Sequence, residues 1–244
     1  MAHRSRVEAF TRKELVVVIV VLVALVLFIV PALRRVNQTS SSICCNCHLK
    51  QLGTAYRIWE NDRGNRYPAF VPLTNGGWSD LLSRPNASSY AWTNYAIMSD
   101  ELGQSPLILV CPADVRKPAP AFSPFIANTN ISYFVGIVPN DTLPQSLLGG
   151  DRNLGPGTTP DAQYGFSPAD GRGNDVVIDG PVCWSLKMHS RGNAAGRGNI
   201  LLADGSAQQI TSAALRDNWI KPALADIKSH NPSTNSPGMR LIFP

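Results

Sequence analysis

Cys44, Cys47 and His48 stand in the spacing C-x-x-C-H, the attachment signature of c-type haem. Met98, Met188 and Met239 are the side chains that would offer an axial sulfur, but sequence places none of them near it. A covalently held haem would also interrupt the helical pattern in which these residues sit. A zinc site needs several thiols converging on one point, and on a helix Cys45 points away from Cys44 and Cys47. The plainer readings are a small buried hydrophobe or half of a disulfide. Five cysteines is an odd number, so at least one stays free unless chains cross-link; Cys45 with Cys111 is the first pair to test.

His189 and Asp204 form half of a general-base arrangement, with Ser190 and Ser206 as conceivable nucleophiles. No G-x-S-x-G elbow, H-E-x-x-H or Walker A pattern accompanies them. The expected role is structural, with Asp204 shaping a turn and His189 bonded to a backbone carbonyl. Asp170, Asn174, Asp175 and Asp179 put oxygen ligands on a Gly-rich stretch that suits Ca²⁺. That stretch lacks an EF-hand's closing Glu and carries Arg172. The expectation is a non-enzyme with no resident cofactor or metal.

The elements that must position these residues begin with an unbroken apolar run. Leu15 to Val30 carries no polar side chain, and Pro31-Ala32-Leu33 extends it to about 19 residues, roughly 28 Å of helix, the thickness of a bilayer core. A strand of valines and isoleucines this long has no place in lipid, because its backbone would go unpaired. A cleaved secretory signal is shorter and ends at small residues, whereas Arg34 and Arg35 follow here. The whole chain has 244 residues, 44% hydrophobic and only 16% charged, with net charge +5, which excludes wholesale disorder. Its basic excess is too scattered for a nucleic-acid face.

The start of this run carries a resemblance. Ala9-Phe10-Thr11-x-x-Glu14-Leu15, the apolar run and Pro31 resemble the N-terminus of type IV prepilins and type II secretion pseudopilins. That resemblance implies cleavage between Ala9 and Phe10 by prepilin peptidase and methylation of the new amine. It also implies a Glu14 that pairs with a neighbour's Phe10 amine in a pilus or pseudopilus, and a helix-kinking Pro31. Two departures are Ala9 where Gly is usual, and Arg12-Lys13 where apolar residues are usual.

Beyond Pro31, Cys45, Leu49, Leu52, Tyr56 and Trp59 recur at helical spacing, opposite Lys50, Thr54 and Arg57. The helix should end near Asn61-Asp62-Arg63-Gly64. Trp78–Leu82 and Trp92–Ile97 suggest short helices with aromatic anchors. Leu107–Val110 reads as a short strand and Ile131–Val138 as the best strand in the chain. Residues 139–185, rich in Gly, Pro, Asn and Asp, read as a long irregular connection. Asn199–Ala203, Asp204-Gly205 and Ser206–Thr211 read as a hairpin, and Ser212 onward to Trp219 as a capped short helix.

A second resemblance spans most of the chain. Cys45-x-x-x-Leu49-Lys50-Gln51-Leu52-Gly53, Cys111-Pro112-x-Asp114, Ser132–Gly136, Gly150-Asp151-Arg152-Asn153, and His189 with Ala203-Asp204-Gly205-Ser206 are similar to a bacterial prepilin-like family. That family is described as processing-associated, with a His-X-Asp-Gly motif. Cys47-His48 stands where it has Asn-Asn, and the gap from His189 to Asp204 is longer than usual.

Together these readings give an α+β, pilin-like chain: leader 1–9, membrane and stalk helix 10–60, and an antiparallel head over 61–244. Its expected place is the bacterial inner membrane, single-pass, with the C-terminal head in the periplasm or on an extracellular filament. Its expected partners are prepilin peptidase and other pseudopilins, with no nucleic acid. The rivals are a membrane-tethered binding module that grips a glycan with exposed Trp78, Trp92 and Trp184, and a c-type electron carrier.

Overall fold

The computed structural model describes residues 11–138, 141–190, 195–230 and 238–244, the side chains of 31–39 and 226–230 excepted. Two compact units divide the chain, Met1–Ser40 and Ser41–Pro244.

Helix α1 (Arg12–Asp62) starts at a reciprocal cap. The Glu14 amide donates to Thr11 Oγ1 at 3.3 Å, and the Thr11 amide donates to Glu14 Oε2 at 2.7 Å. The helical backbone continues through Pro31. It stops where the amides of Arg63 and Asn65 both turn back to the Glu60 carbonyl and Gly64 takes φ 66°, as the sequence suggests. From Ser41 onward α1 belongs to the second unit, whose core its stripe enters: Cys45, Leu49, Leu52, Tyr56 and Trp59 are all at most 2% exposed.

The head is built on strands β1 (Tyr133–Gly136), β2 (Leu147–Asp151), β3 (Leu154–Pro156), β4 (Asn174–Ile178), β5 (Val182–Trp184), β6 (Arg197–Leu202), β7 (Ala207–Thr211) and β8 (Met239–Phe243). Six of them make one antiparallel sheet in the order β4-β8-β1-β2-β6-β7, and β3 pairs with β5 separately. The α+β class is therefore as the sequence indicates.

Strand alternation sends side chains to two cores. Tyr133, Val135, Leu148, Leu201 and Ile242 join the α1 stripe on one face. Phe134, Leu147, Ile200, Leu202, Leu241 and Phe243 join Trp184, Ile210, Leu215 and Ile220 on the other. The sheet is thus covered on both sides, which explains why its strands are apolar at successive positions.

Short helices α2 (Ser79–Leu82) and α3 (Ala91–Ala96) fall where the aromatic anchors predict them. After the β6–β7 hairpin come α4 (Ser212–Leu215), a π-helical turn over Arg216–Ile220, and α5 (Lys221–His230). Thr211, not Ser212, caps α4, its hydroxyl accepting from the Ala214 amide at 3.2 Å. The helical stretch also continues past Trp219.

Two expectations are corrected. The run Leu107–Val110 is not a strand: Pro106–Leu109 forms a 3₁₀ turn with Pro106 at its start, where the fixed φ favours helical winding. Residues 139–185 are not irregular throughout, since β2, β3, β4 and β5 lie within them. Gly150 sits where a strand and a ring approach too closely for a side chain. A Cβ on Gly150 would stand 2.8 Å from both the Asn199 carbonyl and the Phe134 ring.

Candidate functional site

The first candidate is the surface of α1 itself. Arg12–Val30 is 19 residues of mean hydropathy 3.1 with none buried, long and apolar enough to cross a membrane. The large apolar side chains from Leu15 to Val30 are 42–78% exposed. Water would penalise that surface heavily; lipid or neighbouring helices would not. At its mouth the Glu14 carboxylate accepts from Thr11, the amide at 2.7 Å and the hydroxyl at 2.8 Å. Ala9 and Phe10, the expected processing site, lie outside the described residues, and so does the side chain of Pro31.

The second candidate is a buried polar centre in the head, which gathers residues from nearly every segment of the second resemblance. Cys45 on α1 and Cys111, just past the 3₁₀ turn, are joined by a disulfide across a sequence separation of 66. His189, in the 3₁₀ turn Met188–Ser190, places Nε2 3.2 Å from Cys111 Sγ and 3.5 Å from Asp151 Oδ2. In place of the backbone carbonyl suggested by sequence, the imidazole therefore faces a sulfur and a carboxylate. Asp151, at the end of β2, accepts on Oδ2 from the Asn199 amide at 2.7 Å and from Asn199 Nδ2 at 2.9 Å. Its Oδ1 is buried with no hydrogen-bond partner among the described residues. Burial pushes the Asp151 carboxyl up to about 6, against the opposing pull of His189 and the two Asn199 bonds.

Beside this pair runs a second network. Arg152 grips Asp114 with two bonds, Nε to Oδ2 at 2.7 Å and Nη2 to Oδ1 at 2.9 Å, and Ser132 donates to the same Oδ2 at 2.7 Å. The Arg152 guanidinium also lies 3.5 Å over the Tyr164 ring centre. Burial alone would raise Asp114, but the Arg152 bonds and charge, with Ser132 and the Val115 amide, hold it below its usual range. Asn153 donates through Nδ2 to the carbonyls of Lys187 at 3.1 Å and of Ser185 and Arg197 at 3.4 Å, tying the His189 turn to the sheet.

Asp204 does not meet these groups as a His partner. Its Oδ1 accepts from the Ser206 amide at 2.8 Å, and Gly205 has φ 82°, so the two shape the β6–β7 turn as expected. A residue that sequence reading missed is Arg116. It donates to the carbonyls of Asn128, Ile131 and Pro168, to Ser167 Oγ and to the Pro244 oxygen, and burial with the nearby Arg152 charge lowers its pKa to about 10. Nothing in an isolated arginine between alanine-rich loops announces such a hub.

Cys44, Cys47 and His48 lie on the flank of α1, away from the disulfide. His48 Nδ1 is 3.1 Å from the Val110 carbonyl, which can only accept, so that nitrogen carries the proton. Its Nε2 faces Cys44 Sγ at 3.7 Å, while Cys47 is exposed. Among the described residues these three do not converge as a ligand set; Cys45, Cys111 and His189 do, their donor atoms lying within 4.8 Å of one another. In the candidate calcium stretch, Asp170 pairs with Arg172 at 3.2 Å and Asp175 with Arg240 at 2.6 Å.

The tryptophans proposed as a glycan platform are corrected. Trp78 and Trp184 are fully buried core residues, Trp78 donating to Asn94 Oδ1 at 3.0 Å, and Trp92 is only partly exposed. A different tryptophan, Trp219 on the π-helical turn, lines a cleft of about 440 Å³ with Ile137, Leu143, Gln145, Asn218 and Met239. Compared with protein-family models, curated proteins and solved structures, the chain matches none.

Proposed function

We propose that this chain is a pseudopilin-like structural protein, anchored in the inner membrane by α1, trimmed by prepilin peptidase before Phe10, and assembled through its helix into a pilus or type II secretion pseudopilus. The observation that supports it is the division of labour along one helix. Residues 15–30 present an exposed apolar surface, while the turns from Cys45 to Trp59 are the spine of a sheet-based head. The pilin-like likeness of the fold belongs to the same reading.

The proposed mechanism is physical. Apolar helices exchange lipid contacts for one another, and the charge of Glu14, expensive in hydrocarbon, is neutralised by a neighbour's Phe10 amine. The head remains outside the membrane, available to partners or cargo. Mass spectrometry of the chain isolated from its native membrane tests this: the expected N-terminus is methylated Phe10. A chain still beginning at Met1 beside an active peptidase would overturn it.

A second reading, a tethered binding module that forms no filament, draws support from the Trp219 cleft, whose buried indole N–H has no partner among the described residues. Saturable change of Trp fluorescence with an oligosaccharide, abolished by Trp219→Phe, together with an absence of helix-to-helix cross-links, would favour it.

A further inference from the structure

We infer that the head holds a redox-gated transition-metal site: once the Cys45–Cys111 bond is reduced, the two thiolates, His189 and Asp151 bind one zinc-class divalent ion.

The geometry rests on four separate elements. Cys45 comes from α1, Cys111 from the loop after the 3₁₀ turn, Asp151 from the end of β2 and His189 from its own short turn. The sulfur and nitrogen donors already lie within 4.8 Å of one another. Tetrahedral zinc with bonds of about 2.0–2.3 Å spaces its ligand atoms roughly 3.3–3.8 Å apart, a small adjustment from that arrangement. The Cα atoms of the two cysteines are 5.1 Å apart, so side-chain rotation alone can open the sulfurs around an ion.

Asp151 supplies the independent observation. Its side chain is completely buried, yet Oδ1 has no partner among the described residues. Meanwhile Oδ2 is held by two Asn199 donors and faces His189. A carboxylate fixed by one oxygen and unpaired at the other, 3.5 Å from the imidazole nitrogen that meets Cys111 Sγ, is how a protein presents an oxygen ligand with its orienting bonds already made; a turn of its side chain would bring it to an ion held by the other three. A Cys₂HisAsp set suits zinc and its substitute cobalt better than a hard ion, which would ask for more oxygens.

The chemistry balances. A dithiol donor passes two electrons and two protons to the Cys45–Cys111 bond and closes its own disulfide, leaving two thiols in the head. The metal then displaces the two thiol protons, and its lone-pair donor from His189 is the Nε2 nitrogen. An oxidant of the disulfide class reverses the sequence, taking two electrons from the thiolates, re-forming the bond and releasing the ion.

The test uses the full chain in detergent, reduced with a dithiol that is then removed under nitrogen, and titrated with Co²⁺. The expected result is one Co²⁺ per chain, with thiolate-to-cobalt charge-transfer absorption and the intense visible bands of a tetrahedral ion. The unreduced chain should show neither. His189→Ala should weaken Co²⁺ binding by more than the roughly 100-fold that loss of a merely orienting residue costs. The double variant Cys44→Ser/Cys47→Ser should bind as the parent does. X-ray absorption of the zinc-loaded parent, which depends on no variant folding, should show two sulfur and two nitrogen or oxygen neighbours. Absence of thiolate bands, a zinc shell without sulfur, or binding lost in the Cys44/Cys47 variant but kept in His189→Ala would each overturn the assignment.

Discussion

Gly53 on α1 lies directly beneath Gly205 at the tip of the β6–β7 hairpin. A Cβ on Gly53 would stand 2.7 Å from the Gly205 carbonyl oxygen and 2.9 Å from Leu201 Cδ1. Helix and hairpin therefore meet backbone to backbone, and Tyr67 reinforces the junction by donating its hydroxyl to the Ala203 carbonyl at 2.6 Å. Two short patterns far apart in the chain, Lys50-Gln51-Leu52-Gly53 and Ala203-Asp204-Gly205, are the two sides of one contact.

Filling that contact should destabilise the head. Gly53→Ala gains about 1 kcal/mol of helix propensity, but overpacking against backbone costs about 1–3 kcal/mol. Gly53→Val adds a larger and stiffer side chain and should cost more. Urea unfolding of the full chain in detergent, followed by Trp fluorescence, should give midpoints in the order parent, Ala, Val. An alanine variant as stable as the parent would show that the hairpin yields freely.

The disulfide should contribute more than any single packing contact. Closing a loop with a sequence separation of 66 removes about 4 kcal/mol of unfolded-chain entropy in the chain-entropy account. Cys45→Ala/Cys111→Ala should lower stability by about 2–4 kcal/mol, and intact mass should shift on reduction in the parent but not in the variant. Cys44→Ser should change neither quantity, because Cys44 is outside the bond.

Asp114 and Arg152 give the head a defined acid limit. Because the folded state holds the Asp114 carboxyl below its ordinary 3.8, the stabilisation is complete above that value. It is lost as pH falls through the lower folded value. Acid unfolding should therefore steepen below about pH 4, and Asp114→Asn should flatten that limb. Asp114→Ala leaves a 3%-exposed guanidinium without its carboxylate and should cost about 3–5 kcal/mol at neutral pH, readable in the same urea titration.

What the sequence made legible were features carried by period or by one local turn. The apolar run, the stripe from Cys45 to Trp59, the Asp204-Gly205 hairpin and the stop at Gly64 each depend on residues a few positions apart. Illegible features depend on distant neighbours. Gly149 and Gly150 look like loop residues until β1 and β6 arrive beside them, the Phe134 carbonyl at Gly149 and the Phe134 ring and Asn199 carbonyl at Gly150, to make β2. Leu107–Val110 has strand-like side chains, but Pro106 winds it, and its carbonyls are met singly, that of Leu109 by the Ser132 amide at 2.8 Å and that of Val110 by His48 at 3.1 Å, rather than by a partner strand. His189 could be singled out from sequence but not paired, because Asp151 lies 38 residues earlier at the end of β2 and only the fold brings it to 3.5 Å.

Glu14 separates two roles that a single truncation would confuse. Its carboxylate accepts from the Thr11 amide and hydroxyl, so within one chain it serves as the far half of a helix cap. In the proposed filament the same carboxylate must answer a neighbour's amine, which requires charge, not just an accepting oxygen. Glu14→Gln keeps an oxygen for Thr11 and removes the charge; Glu14→Ala removes both. If assembly needs only the cap, the Gln variant should cross-link between chains in the native membrane as efficiently as the parent, and only the Ala variant should fail. If the charge is what a neighbour reads, both variants should lose inter-chain cross-links to a similar degree, while the thermal midpoint of the head stays where it was. The pseudopilin reading predicts the second pattern. Cross-linking of the Gln variant at parental yield would leave α1 as an anchor alone.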